Sequence, residues 1–164
     1  MKKFLYLFLL PVMFLSCSGD DVPSESEIDP VVSEVLSVLN GHFVFSVYQP
    51  VTNTTETEEL TFSPFSEPKN MVSVLEGEFV AHGNALVVSY FNDEKFKVSD
   101  DCFFSVTRPS SLSDPLLWFY EYNENGEVVN RSESSYIKVI SGSSFVLYPR
   151  GGTADENGKK FVKQ

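Results

Sequence analysis

Cysteine and histidine are almost missing from this chain of 164 residues: Cys17 and Cys102 are its two cysteines, His42 and His82 its two histidines. Neither histidine has a cysteine beside it or a helical His-x-x-x-His spacing, so no metal-binding set is visible and no cofactor is expected. Cations are short as well. Lys and Arg number 12 against 23 Asp and Glu, and no basic cluster occurs anywhere. A surface of that charge repels phosphate, which argues against nucleic acid as a partner. Also missing are a Gly-x-Ser-x-Gly elbow, a phosphate-cradling glycine loop, and a Ser-x-x-Lys pair in a setting that would activate a serine. No enzymatic activity is expected. No period of 20 to 50 residues recurs, which excludes propellers and solenoids.

What is present begins with "MKKFLYLFLLPVMFLSCSGDD". Lys2 and Lys3 form a basic start, Phe4 to Leu15 an apolar run, and Ser16 a small residue before Cys17. The run is too short to cross a hydrocarbon core of about 30 Å, Pro11 interrupts it, and no basic stop-transfer cluster follows. A cleaved secretory leader over residues 1–16 is the expectation. The next stretch, "CSGDDVPSESEIDP", is acidic and bears Ser and Pro, the composition of a flexible tether, here assigned to residues 17–28. Cleavage removes two lysines and no acid, so the 12 cations fall to 10 against 23 acids, a net charge near −13. Residues 29–164 then form one domain long enough to bury a core.

The period within that domain changes once. In "DPVVSEVLSVLNG", Asp29 is placed to cap a helix, Pro30 to occupy its first position and Gly41 to follow its end, with Val32, Val35, Leu36 and Leu39 on one face. From "HFVFSVYQ" onward the apolar period is 2, with Phe43, Phe45 and Val47 on one face. Similar runs lie at 60–62, 72–75, 78–82, 86–91, 96–98, 102–107, 116–122, 128–131, 136–140, 145–148 and 160–163. Turn signals separate them: "HGNA" with Gly83-Asn84, "NDE" at 92–94, "NENGE" at 123–127 and "SGSS" at 141–144. The fold class is all-β, and about ten sequential antiparallel strands must hide their edges. An up-and-down β-barrel with one short N-terminal helix does so by closure; a two-sheet sandwich is the alternative.

Three segments carry resemblances. "FLSC" resembles a bacterial lipobox, which implies that Cys17 becomes the acylated first residue of the mature chain and that two or three acyl chains hold it to a membrane. Cys102 would then be the only thiol, no intramolecular disulfide can form, and stability must come from packing. Asp20 and Asp21 look like the acidic surface-export signal of Bacteroidetes lipoproteins, which implies the outer face of the outer membrane, with a periplasm-facing anchor as the alternative. Leu39-Asn40-Gly41-His42-Phe43 looks like the Leu-x-Gly-x-aromatic opening of the lipocalin-like domains on such lipoproteins, and "FVLYPRGGTADENGKKFVKQ" resembles their closing hairpin. The likeness spans residues 36–164 and implies a lipocalin-like barrel. Its floor motif would be Leu39, Gly41 and Phe43, with Phe43 where such openings usually place Trp, and Arg150 and Lys163 as candidates for the basic residue over that ring.

The remaining signal is aromatic. In "DPLLWFYEYNENG", Leu116, Trp118, Tyr120 and Tyr122 share one strand face and Leu117, Phe119 and Glu121 the other. One face is expected to fill the barrel and the other to be covered by the helix or a loop; alternatively Trp118, Tyr120 and Tyr122 form a ligand-binding wall, with "RPSSLSDP" at 108–115 as its rim. Asp93-Glu94 and Asp100-Asp101 read as solvated acids bounding hairpins, and Cys102 as a small core residue. Two functions follow, both for a monomer on a lipid anchor. The first is a lipocalin-like module that binds a small apolar or amphipathic ligand inside the barrel; the second is an interaction protein with a packed interior that contacts a glycan or another surface component from outside. A void of several hundred Å³ lined by apolar side chains would favour the first, a filled barrel the second.

Overall fold

A computed structural model describes residues 29–73 and 77–164. The leader, the tether and the residues Cys17, Asp20 and Asp21 lie outside the described residues. The chain opens with helix α1 (Pro30–Val38), whose N-cap is Asp29; its carboxylate accepts the Val31 N–H at 2.8 Å. Strands follow in the order β1 (Gly41–Gln49), β2 (Thr54–Ser73), β3 (Gly77–Phe91), β4 (Glu94–Thr107), β5 (Leu116–Tyr122), β6 (Val128–Arg131), β7 (Ser135–Ser141) and β8 (Ser144–Pro149). A one-turn helix α2 (Ala154–Asn157), capped by Thr153, precedes the last strand β9 (Lys159–Lys163). The helix α2 stands where only a turn was expected.

Eight of these strands close into an antiparallel barrel. Each pairs with the next, except that β5 passes over β6 to β7, and β9 returns to β1 through Phe43↔Lys163 and Val44↔Val162. One continuous closed sheet excludes the sandwich. Strand β6 stays outside the ring, paired with β5 and touching the end of β2 by a single parallel bridge, Ser73↔Val128.

Alternation decides what each strand buries. From the inward faces, Phe43, Leu60, Phe62, Ala85, Cys102, Phe104, Val106, Leu117, Ile137, Phe145 and Phe161 join one buried cluster. Val32, Val35, Val38 and Leu39 of α1 enter the same cluster and close one end of the barrel. Arg108, just past β4, donates to the Asp29 carboxylate at 2.9 Å and so ties the start of α1 to the wall.

Two expected turns are not turns. Gly83-Asn84 lies inside β3, and Asp100-Asp101 inside β4 at a register shift between Ala85↔Cys102 and Val87↔Ser99. At Gly83 a Cβ would sit 2.5 Å from Phe104 Cε1, 2.5 Å from the Ser63 carbonyl oxygen and 2.6 Å from Pro64 Cα. Glycine is there for close approach rather than for turning. The polar stretches 54–59 and 63–71, which show no apolar alternation, are both part of β2, a strand of 20 residues. Their pairing with β1 and β3 supplies what the side chains do not advertise.

The far ends of β2 and β3 create a second layer. Register slips between Pro64 and Lys69, and residues 69–73 then pair with 77–81. This hairpin lies over the outer face of β4 and β5: Phe79 stacks on Tyr120 with centroids 3.9 Å apart, and Phe65 meets Phe103 edge-on at 6.2 Å. Ser73 and Ala81 of the hairpin are buried, as are Tyr120 of β5 and Val128 of β6.

Candidate functional site

The floor motif forms as a unit. Leu39 and Phe43 are wholly buried, and Gly41 sits at φ +104°, a left-handed conformation that favours glycine. A Cβ at Gly41 would also meet Lys163 Cε at 3.0 Å. Lys163 Nζ lies 5.9 Å from the Phe43 ring centroid, so Lys163 is the basic residue over that ring; Arg150 lies elsewhere, over Trp118. The Gln164 N–H donates to the His42 carbonyl at 3.0 Å, which pins the chain's last residue to the first strand. This is a structural floor.

Above it the interior is occupied. Phe43 and Phe145 have centroids 5.0 Å apart, Phe62 and Phe104 5.1 Å, and Phe145 and Phe161 5.4 Å, and all five rings are buried to less than 2 % exposure. Rings at that spacing leave no room for a ligand between them. Towards the opposite end the inward side chains Phe45, Val87, Phe119 and Leu147 are only half-buried. There Lys159 pairs with Glu58 and its ammonium lies 5.5 Å from the Phe45 ring. A shallow open cavity of about 450 Å³ includes Glu58, Leu147, Asn157 and Lys159 in its walls. The cavity is therefore rimmed by charge.

The three aromatic candidates on β5 do not line the interior. Leu117 and Phe119 point inward, so Trp118, Tyr120 and Tyr122 point outward. Tyr120 is buried beneath Phe79, and burial pushes its phenol up from the ordinary value. Tyr122 stacks on Phe103 at 4.4 Å. Packing consumes Tyr120, whereas the half-buried Tyr122 also borders an open groove of about 410 Å³ with Ser99, Glu121 and Val129. Trp118 faces a second open groove, of about 370 Å³, lined by Arg131, Glu133, Ser134, Ser135, Pro149 and Arg150. Its indole N–H donates to Thr107 Oγ1 at 3.1 Å, while the Arg131 and Arg150 guanidinium carbons lie 4.4 and 5.3 Å from its ring centroid. The sequence names the tryptophan, names Arg150 only as a candidate over the Phe43 ring and does not name Arg131; the two arginines come from the end of β6 and from just past β8 and meet only after closure.

Other singled-out residues are structural. The segment 108–115 is no rim to the Trp118 groove: Arg108 binds α1, and Asp114 accepts from the Tyr148 hydroxyl. That contact and burial push the Tyr148 phenol far up, burial being the larger cause. His82 is half-buried and its Nδ1 accepts the Val106 N–H at 3.2 Å; burial pushes the imidazole down from 6.5, so it is neutral at pH 7. His42 lies at the surface, 3.6 Å from Glu59. Cys102 is buried in the core. Among the described residues no three His, Cys, Asp or Glu side chains gather as a metal site would require. Comparison of the chain with family models, with curated proteins and with solved structures gives no match in any of the three.

Proposed function

We propose that this protein is a lipid-anchored envelope lipoprotein, cut before Cys17 and acylated there, whose barrel is a non-enzymatic recognition module working through its outer surface. One observation carries the choice of surface over interior: five phenylalanines fill the half of the barrel that α1 closes. The other half is a shallow mouth crossed by the Glu58–Lys159 pair, and burying that pair under an apolar ligand would cost more desolvation than a cavity so open returns. Asp20 and Asp21 support display on the outer face of the outer membrane. An acidic exterior keeps such a domain soluble and monomeric and turns away polyanions.

The test is native mass spectrometry of protein purified without detergent from the domain side of the anchor, together with titration by fatty acids and sterols. The expected result is a bare polypeptide mass and no saturable response. A small apolar molecule retained at one per chain would overturn the surface reading and restore the barrel interior as the site.

A further inference from the structure

We infer that a rim cavity between the β1–β2 and β3–β4 hairpins binds a primary alkylammonium group, held by the Glu56 carboxylate and the Ser89 hydroxyl against the rings of Phe91 and Phe96. The cavity opens to solvent at the mouth of the barrel, so the inference rests on the surface reading and names a ligand chemistry for it.

Register brings the parts together. In the β2–β3 ladder Glu58 stands opposite Ser89 and Glu56 opposite Phe91, so alternation turns these four side chains to one face. Phe96 joins them through a bulge. Tyr90 pairs with Lys95 and Ser89 with Lys97, which leaves Phe96 as the extra residue of β4, and its side chain lines the same cavity of about 200 Å³. The two hairpins are tied to each other: the Asn92 N–H donates to the Thr55 carbonyl and the Thr55 N–H to Asn92 Oδ1, each at 2.8 Å. The cavity is therefore held in shape before any ligand arrives.

Its polar groups are left unbonded. Ser89 is only 9 % exposed and lines the cavity, yet its hydroxyl has no partner among the described residues. A buried hydroxyl in that state is uncommon in a folded protein. Glu56 makes no hydrogen bond or ion pair among the described residues either, and Glu58 gives only its Oε1 to Lys159. Neither Lys95 nor Lys97 pairs with these two acids; the Lys95 ammonium lies 5.8 Å from the Tyr90 ring centroid instead. Three acceptor sites thus converge: the Glu56 carboxylate, Glu58 Oε2 and the Ser89 oxygen. An ammonium carries three donors and no acceptor, which is the complement of that set.

The rings select for a stem beneath the charge. Phe91 and Phe96 are 45 % and 67 % exposed, and neither stacks on another ring among the described residues, so packing does not account for them. Their faces attract a cation and their edges shelter methylene groups. The excess of 23 acids over 12 cations draws a cation towards the rim and turns an anion away. At about 200 Å³ the cavity is smaller than the sites of about 300–1,000 Å³ that enclose whole drug-sized molecules. It takes the end of one chain. The ammonium of a free amine and that of a lysine side chain on a partner polypeptide share this chemistry.

The test is amide NMR of the isotope-labelled full chain in non-ionic detergent, titrated with n-butylamine, n-butanol, butyrate, and a peptide that has blocked termini and a single lysine. The expected result is a saturable shift with butylamine, confined to residues 56–58, 89–91 and 95–97, weakening as salt is raised and absent with butanol and butyrate. The same shifts with the peptide assign the site to lysine side chains; their absence with the peptide assigns it to free amines. Glu56→Gln, exposed and unpaired, is expected to weaken binding by about tenfold with unchanged melting temperature, and Glu78→Gln, at the far end of β3, to leave it unchanged. Ser89→Ala removes a hydroxyl that bonds nothing in the free protein, so it should weaken binding without lowering the melting temperature, a split that a structural role would not produce. Equal shifts with butanol, shifts spread over acids across the whole surface, no shift with butylamine, or undiminished binding by Glu56→Gln each overturns the inference. Those failures leave the surface reading standing; a retained apolar molecule is the outcome that removes that reading.

Discussion

Replacing Gly83 by alanine tests the close crossing at the centre of the fold. The new methyl carbon would start 2.5 Å from Phe104 Cε1, 2.5 Å from the Ser63 oxygen and 2.6 Å from Pro64 Cα. Ordinary carbon contacts lie at about 3.5–4.0 Å, so all three neighbours must retreat by about 1 Å. None can do so freely. Ser63 and Pro64 present backbone atoms on the paired strand, and Phe104 is wholly buried with its ring 5.1 Å from Phe62. Overpacking a core costs about 1–3 kcal/mol, and rigid neighbours on three sides put this case near 3 kcal/mol. At the entropy of unfolding usual for a domain of this size, that lowers the melting temperature by about 10 °C. The assay is calorimetry of Gly83→Ala beside Gly142→Ala, a control whose methyl meets nothing within 4 Å and which should stay within about 0.5 kcal/mol of the parent. If the two variants melt together, Gly83 is an ordinary turn glycine and the strand crossing is looser than drawn.

Two further outcomes are expected. Because burial lowers the His82 pKa, the unfolded chain takes up a proton below about pH 6.5 that the folded chain refuses; stability is whole above that pH and falls as pH drops. Melting curves between pH 7 and pH 5 should therefore slope less for His82→Gln than for the parent, and parallel slopes would remove His82 as the cause. Cys17→Ala should move the protein out of washed membranes while its melting curve is retained, since every described strand starts at Gly41 or later; persistence in the membrane fraction would refute lipidation.

Much of the fold was legible because its signals are local. Asp29, Pro30 and Gly41 bound α1, and the change from period 3.6 to period 2 after Gly41 marks the first strand. The turns at 92–94 and 123–127 were legible from their asparagines: Asn92 and Asp93 take positive φ, and Asn123 Oδ1 accepts from the backbone N–H groups of Asn125 and Glu127. What failed depends on distant partners. Gly83 reads as a turn because the reason for it, the ring of Phe104, lies 21 residues away. Residues 54–59 give no strand signal because Glu56 and Glu58 stand where alternation expects apolar side chains, at the open mouth where a strand's inward face meets water. The Trp118 groove fails on the same ground: Arg131 and Arg150 belong to different segments, and neither carries a sign of the other.

Strand β5 explains why the aromatic run allowed two readings. A strand of a simple barrel has one apolar face, but Leu116–Tyr122 is rich in rings and leucines on both because it lies between two cores. Phe119 serves the inner one, and Tyr120 the outer one under the β2–β3 hairpin. Tyr122 stacks on Phe103 of the neighbouring β4, while over Trp118 lie the guanidiniums of Arg131 and Arg150. An aromatic needed only for packing would be met by apolar groups, as Tyr120 is. The aromatic wall that the sequence suggested for the inside of the barrel thus stands on its outside, where Tyr120 is packed under Phe79 and Trp118 borders an open groove.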